Sequence, residues 1–271
     1  MPGMLGEKIG EGAFSEVHAW APGQIVKLFK PEVRRPTARY EAHMTRAVFT
    51  AGGPAQEVLD EVTIEGRLGM VLPRLDGPTL LQCLQTDAIT IESAAEVIAN
   101  LALSVHQTPT PADALSVRAY MDALLQRGGG GGGGDIAAGV IAMIDRLPPD
   151  DRLSHCDLHP GNVIMTADGP RLIDWTGVKR GGAPLDLACC HFLRTELVVE
   201  TLGPPARQRA LDVAVQSAYA RLADIPAAAL RSTMKAHLPI VRLFFLLGGV
   251  ARPATRVRLL QRLETDVAAS G

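Results

Sequence analysis

The chain has 271 residues, 47% hydrophobic and 21% charged, with a formal net charge of −2. That length suits one large domain or two lobes around a cleft, with enough apolar residues for a core. The near-neutral balance argues against a nucleic-acid-binding surface, and the locally basic stretches at Arg34-Arg35 and from Arg252 to Arg262 read as solvated helix faces.

The first 75 residues alternate short β-like runs with turns. Ile9 to Val17 reads as a strand, a glycine turn and a returning strand, and Gln24 to Phe29 as a further strand. Residues 37–51 lack Gly and Pro and read as a helix. Strand-like runs return at Glu57 to Ile64 and Leu68 to Leu72. A mostly antiparallel sheet with one helix is expected. Pro73 to Pro78 reads as a hinge, after which the pattern turns helical at Thr79 to Leu84 and Ile91 to His106. In the second of these, Ala95, Ile98, Ala102 and Val105 fall on one helical face.

Seven glycines at 128–134 read as a flexible connector between helices, since no Lys-Ser or Lys-Thr of a phosphate loop follows them. Short strands are expected to flank the segment around Asp157, at Val163 to Met165 and Arg171 to Ile173. From about Asp186 the chain reads as helices broken at Gly203-Pro204-Pro205, Ile225-Pro226 and Gly248-Gly249.

Cys83, Cys156, Cys189 and Cys190 form no C-x-x-C pair, so reduced thiols are expected. The N-terminus lacks an apolar signal core, and the apolar stretch from Leu238 to Val250 is interrupted by Arg242 and too short for a bilayer. A soluble, cytoplasmic protein without membrane contact is the expectation.

The chemistry concentrates at His155-Cys-Asp-Leu-His-Pro-Gly-Asn162, followed by Ile173-Asp174-Trp175. One Asp placed five residues before an Asn, with a second Asp beyond an apolar run, suits Mg-ATP chemistry. Asp157 is the candidate catalytic group. With an ordinary pKa of about 3.9 it works less as a strong base than by orienting a hydroxyl and accepting its proton late. Asn162 and Asp174 supply the oxygen donors that Mg²⁺ prefers.

Upstream, Gly10 and Gly12 give a turn small enough to lie over phosphates, and Ser15, where a third glycine is usual, adds a hydroxyl that could donate to one. Lys27 interrupts an apolar strand, where a cation can reach inward to phosphates, and Glu41 on the next helix is the candidate carboxylate that directs it. His155 is expected to brace the loop, His159 to pack or to touch a ligand, Asp186 to accept hydrogen bonds from the loop, and His106 to be structural.

These residues resemble the aminoglycoside phosphotransferase and choline kinase branch of the protein-kinase-like fold. The matching positions are Gly10 to Val17, Lys27, Glu41, Leu103 to His106 with Pro109, His155 to Asn162, Ile173 to Trp175 and Pro184 to Leu187, which together span most of residues 5–190. The resemblance implies a two-lobed α+β fold. Its N-terminal ATP-binding lobe (1–75) is small, antiparallel and β-rich with one helix; the C-terminal lobe (76–271) is larger, mainly helical, and both catalytic and substrate-binding. ATP would lie between the lobes, with its adenine near Pro73 to Leu75, Asp157 catalytic, and Asn162 and Asp174 on magnesium. Cys156 stands where this family often has Gly, a departure compatible with the fold if the side chain points into the core.

Only eleven residues separate Asp174 from Asp186, and no A-P-E motif follows, which disfavours a protein kinase. A small-molecule hydroxyl is the expected acceptor of the phosphoryl group, with a catalytically silent nucleotide-binding module as the alternative. Glu196, Glu200, Asp212 and Asp224 are candidate acids for a polycationic aminoglycoside. Aromatic residues are 4% of the chain, few for a choline-type cage. Amino-sugar, sugar, nucleoside-like and amino-alcohol acceptors therefore stay open.

Overall fold

The structure is a computed structural model that describes residues 5–127, 134–197, 202–248 and 253–270. Strands β1 (Lys8–Glu11), β2 (Ser15–Ala19), β3 (Gln24–Phe29), β4 (Asp60–Ile64) and β5 (Arg67–Pro73) form one antiparallel sheet in the order β1-β2-β3-β5-β4. Helix α1 (Arg35–Thr50) packs on it through Ala38 and Ala42, against Phe29, Met70 and Leu72. It begins two residues earlier than expected because Pro36 sits in its first turn, where a missing N–H costs nothing.

Glu41 lies on the same buried face, 1% exposed. An unpaired carboxylate there would cost several kcal/mol. The helix can dock only if the sheet offers a cation, and alternation along β3 does so: Ile25, Lys27 and Phe29 share the face toward α1.

The remainder is mainly helical. Helices α2 (Leu80–Gln85), α3 (Ile91–Gln107), α4 (Val117–Arg127) and α5 (Gly134–Arg146) precede the loop that carries Asp157; α6 (Gly182–Phe192), α7 (Pro205–Leu222), α8 (Ala227–Leu247) and α9 (Pro253–Ala268) follow it. Ala95, Ile98, Ala102 and Val105 of α3 are all buried, and α3 packs on α7 while α6 packs on α8. Most of the glycine run lies outside the described residues; Gly134 opens α5.

Short strands β6 (Leu153–Ser154) and β9 (Lys179–Arg180) pair with each other, as do β7 (Val163–Thr166) and β8 (Gly169–Leu172). The two strands expected on either side of the loop therefore form a hairpin after it. The segment read as a hinge is tied to that hairpin. Met165 N donates to Pro78 O at 2.9 Å, and Thr79 bridges Ile164. Gly77 adopts a φ of 151°, and a Cβ there would lie 2.0 Å from Met165 O, so only glycine fits.

Candidate active site

The β1–β2 turn is closed by Gly12 N donating to Ser15 O at 2.8 Å. Ser15 is 4% exposed, so its hydroxyl is largely buried within the turn. Neither Gly10 nor Gly12 has positive φ, and a Cβ at either would make only ordinary contacts. The fold itself does not demand these glycines.

Lys27 Nζ lies 2.5 Å from Glu41 Oε1 and 3.2 Å from Asp174 Oδ1. Burial works against its charge, but the two carboxylates outweigh this and raise its pKa. Burial raises the Glu41 carboxyl. It also works against the Asp174 charge, yet the Lys27 ammonium and the Thr176 hydroxyl hold that carboxyl below the usual range. Thr176 Oγ1 sits 2.5 Å from Glu41 Oε2 and 2.6 Å from Asp174 Oδ1, closing a ring of four side chains from β3, α1 and the turn after β8. The sequence reading paired Lys27 with Glu41 and put Asp174 at the same ATP site as a metal ligand, but it foresaw neither the Lys27–Asp174 contact nor Thr176. The adjacency of a hydroxyl to Ile173-Asp174-Trp175 was the available signal.

The loop before α6 is held from behind. Asp186 accepts from His155 N at 3.0 Å, Cys156 N at 2.8 Å and His106 Nε2 at 3.0 Å, while His106 Nδ1 meets the Tyr219 hydroxyl at 2.8 Å. Both Asp186 and His106 thus have the structural places expected of them. Cys156 has a φ of 62°, a left-handed conformation that costs a non-glycine residue about 1–2 kcal/mol. Its side chain is buried. The paired N–H donations to Asp186 hold the backbone in this shape, which is the physical content of the departure from Gly. His155 is fully buried, packs edge-on against Trp175 and accepts from Asp157 N at 3.3 Å. Burial lowers its pKa to about 4, so the ring is neutral and braces the loop.

Asp157 faces the cleft with its side chain 32% exposed. Desolvation by the surrounding protein, reinforced by the Asp174 charge, pushes its carboxyl above the usual range despite His159 and Asn162. Asn162 Nδ2 donates to both Asp157 O at 2.9 Å and Asp157 Oδ2 at 3.0 Å. That orientation spends the amide N–H groups on Asp157 and leaves Asn162 Oδ1 as a free-standing acceptor. With Asp174 it offers the kind of hard oxygen donors that Mg²⁺ prefers. Among the described residues no group of three or more His, Cys, Asp or Glu side chains could hold a metal alone.

The candidate acids for a polycation are largely committed elsewhere. Glu196 is ion-paired with Arg242 at 2.8 Å and Arg262 at 2.8 Å, while Asp212 is hydrogen-bonded to His191 at 2.7 Å and ion-paired with Arg194 at 3.2 Å. Asp224 is exposed, and Glu200 lies outside the described residues. The Tyr120 and Phe244 rings do form a cationic cage, but Lys179 fills it, its Nζ 4.4 and 4.2 Å from the two centroids. Among the described residues no helix is long and apolar enough to cross a membrane.

This arrangement has clear relatives. Residues 9–238 match the APH phosphotransferase enzyme family. The chain belongs to that family. Among solved structures it is similar to a choline/ethanolamine kinase family protein from Mesorhizobium loti, at 17% identity and a TM-score of 0.61, covering 97% of this chain and 87% of that one. It is also similar to APH(2'')-IIa in its ternary complex with streptomycin and ATP (15% identity, TM-score 0.59, 96% and 92% covered). A third is the aminoglycoside phosphotransferase APH(3'')-Id from Streptomyces rimosus, at 17% identity and a TM-score of 0.59, with 87% and 92% covered. At these identities the likeness establishes the two-lobed kinase-like fold. No curated protein matches the chain.

Proposed function

We propose that this family member moves the γ-phosphoryl group of Mg-ATP to a hydroxyl of a small molecule of the aminoglycoside, amino-sugar, sugar or amino-alcohol type. The observation that carries the reading is Lys27 held between Glu41 and Asp174, because a structural lysine has no need of a second carboxylate that also stands beside Asp157 and Asn162. In this reading residues 1–75 bind the nucleotide and residues 76–271 supply the catalytic loop and the acceptor site. Gly10 and Gly12 let the backbone approach the phosphates; Ser15 shapes that turn. Lys27, directed by Glu41, reaches the α- and β-phosphates. Asn162 and Asp174 would hold Mg²⁺, which when bound neutralises charge developing on the phosphates.

Asp157 orients the acceptor hydroxyl and accepts its proton as the oxygen–phosphorus bond forms and the bond to the leaving ADP oxygen breaks. The Asn162 amide fixes its carboxylate. The fold keeps the span from Asp174 to Asp186 short, occupied by a 3-10 turn, β9 and the start of α6. This leaves no extended platform for a peptide, which favours a small acceptor.

An ATP-consumption screen over aminoglycosides, sugars and amino alcohols, with Asp157→Ala as control, tests this. Acceptor-dependent turnover abolished by the substitution supports it. Nucleotide binding without turnover on any acceptor would instead identify a silent binding module.

A further inference from the structure

The turn Leu193–Leu197 extends α6 as a single π-helical turn, a geometry found disproportionately at functional sites. It presents Glu196 to α8 and α9, and a groove of about 330 Å³ opens beside it, lined by Arg242, Arg258, Arg262 and Asp266. The groove is shallow and open to solvent. The groove continues past Thr195 and Glu196. Arg258 and Arg262 are exposed, as the sequence reading of Arg252 to Arg262 as a solvated helix face expected, but they also line this groove.

Among the described residues the charges do not cancel. Three guanidinium groups meet two carboxylates. Arg242 engages both Glu196, at 2.8 Å, and Asp266, at 2.5 Å, and Arg262 takes the second Glu196 oxygen at 2.8 Å. Among the described residues Arg258 meets only neutral acceptors at long range, Glu196 O at 3.3 Å and the Thr255 hydroxyl at 3.4 Å. An entering oxyanion would replace these with charge-assisted bonds in the fork geometry that guanidinium offers. A polyamine would meet a net positive wall whose acids are already paired.

The groove lies at the C-terminal end of the helix that supports the catalytic loop. Helix α6 runs beside that loop: Asp186 accepts from His155 N and Cys156 N, and one turn on Cys190 Sγ donates to Leu158 O at 3.2 Å. Glu196 follows six residues later, a rise of roughly 9 Å.

We infer that this groove is the anion-binding part of the acceptor site, and that the acceptor is a small hydroxylated molecule bearing a carboxylate or a phosphate rather than a polycationic amine. The inference rests on the phosphotransfer reading and narrows its acceptor class. The transferred phosphoryl goes to a hydroxyl of that molecule; its oxyanion serves only as an anchor.

Two measurements test it separately from catalysis. Steady-state turnover is compared for hydroxycarboxylates, sugar phosphates, neutral sugars and aminoglycosides. One of the first two classes is expected to give the highest kcat/KM, and which of them wins separates carboxylate from phosphate. Arg258→Ala and Arg258→Gln are then expected to raise KM for that acceptor about 10- to 100-fold while leaving KM for ATP unchanged. An aminoglycoside or neutral sugar as the best acceptor, or an unmoved acceptor KM, overturns the inference. Independently of turnover, calorimetric titration with citrate and with inorganic phosphate is expected to detect binding that Arg258→Glu removes. No binding, or binding that survives Arg258→Glu, overturns the groove even if phosphotransfer itself is confirmed. If no acceptor is turned over but this binding is seen, the anion site stands and the phosphotransfer reading falls.

Discussion

Thr176 Oγ1 and Glu41 Oε2 lie 2.5 Å apart although 135 residues separate them in sequence. The same hydroxyl is 2.6 Å from Asp174 Oδ1, so one small side chain joins the buried helix carboxylate to the proposed metal ligand. Two carboxylates this close to one oxygen repel each other unless a donor stands between them. Thr176→Val keeps the shape and removes the donor. It is expected to lower kcat/KM for Mg-ATP by about 10- to 100-fold, equivalent to one lost hydrogen bond to a charged group. Thr176→Ser should restore it. Kinetics at varied Mg²⁺ check this: an unchanged magnesium dependence in the Val variant would show that Thr176 only fills space.

Lys27 and Glu41 make a sharper pair of predictions because stability and activity separate. Lys27→Ala leaves Glu41 buried without its main cation. This should destabilise the protein by about 3–5 kcal/mol, visible as a lower denaturant midpoint. The double variant Lys27→Met with Glu41→Gln removes both charges and should regain most of that loss while staying inactive. If the double variant is no more stable than Lys27→Ala, the cost lies in lost packing rather than in the stranded charge.

Much of the N-terminal sheet was legible because its central strands β3 and β5 are short apolar runs bounded by turn residues, and β3 was read to the residue. The helix faces were legible for the same reason: Ala95, Ile98, Ala102 and Val105 repeat at helical spacing and are all buried. The candidate site was legible where spacing within one loop carries the chemistry, as with Asp157 and Asn162. Long-range pairing was not. Nothing local marks Thr176 as a partner of Glu41, or Glu196 as the partner of Arg242 and Arg262, because each depends on elements brought together only by the finished core. Two-residue strands such as β6 and β9 have no periodicity to detect. The burial of Ser15 was not legible, because it comes from the pairing of Ser15 with Phe29 across two strands.

Asp186 ties acid stability to the catalytic loop. Burial alone would raise its carboxyl, but the His106 hydrogen bond and charge, with help from His155, hold it below the usual range. A carboxylate with a depressed folded-state pKa stabilises the protein above its unfolded value of about 3.9, and that contribution is lost as pH falls through the folded value. Asp186→Asn should therefore cost about 2–3 kcal/mol near neutrality and flatten the fall in stability below about pH 4. Urea unfolding at pH 7 and at pH 3 measures both. A variant whose loss is the same at the two pH values would show that the charge of Asp186 contributes nothing beyond its hydrogen bonds.

Gly77 and Gly12 separate a glycine the fold needs from one that only a ligand would need. At Gly77 the φ of 151° and the approach of Met165 O leave no room for a methyl group. Gly77→Ala should destabilise the protein by about 2–4 kcal/mol through backbone strain and displacement of the β7–β8 hairpin. At Gly12 the nearest atom to an added Cβ is Ser15 O at 3.9 Å, an ordinary contact, and φ is not positive. Gly12→Ala should leave thermal stability within about 0.5 kcal/mol of the parent. If the turn does close over phosphates, the added methyl group would stand between backbone and ligand, and KM for ATP should rise several-fold while the chemical step measured at saturating ATP changes little. An unchanged KM for ATP in Gly12→Ala would remove the β1–β2 turn from the nucleotide site while leaving Lys27, Asn162 and Asp174 in place.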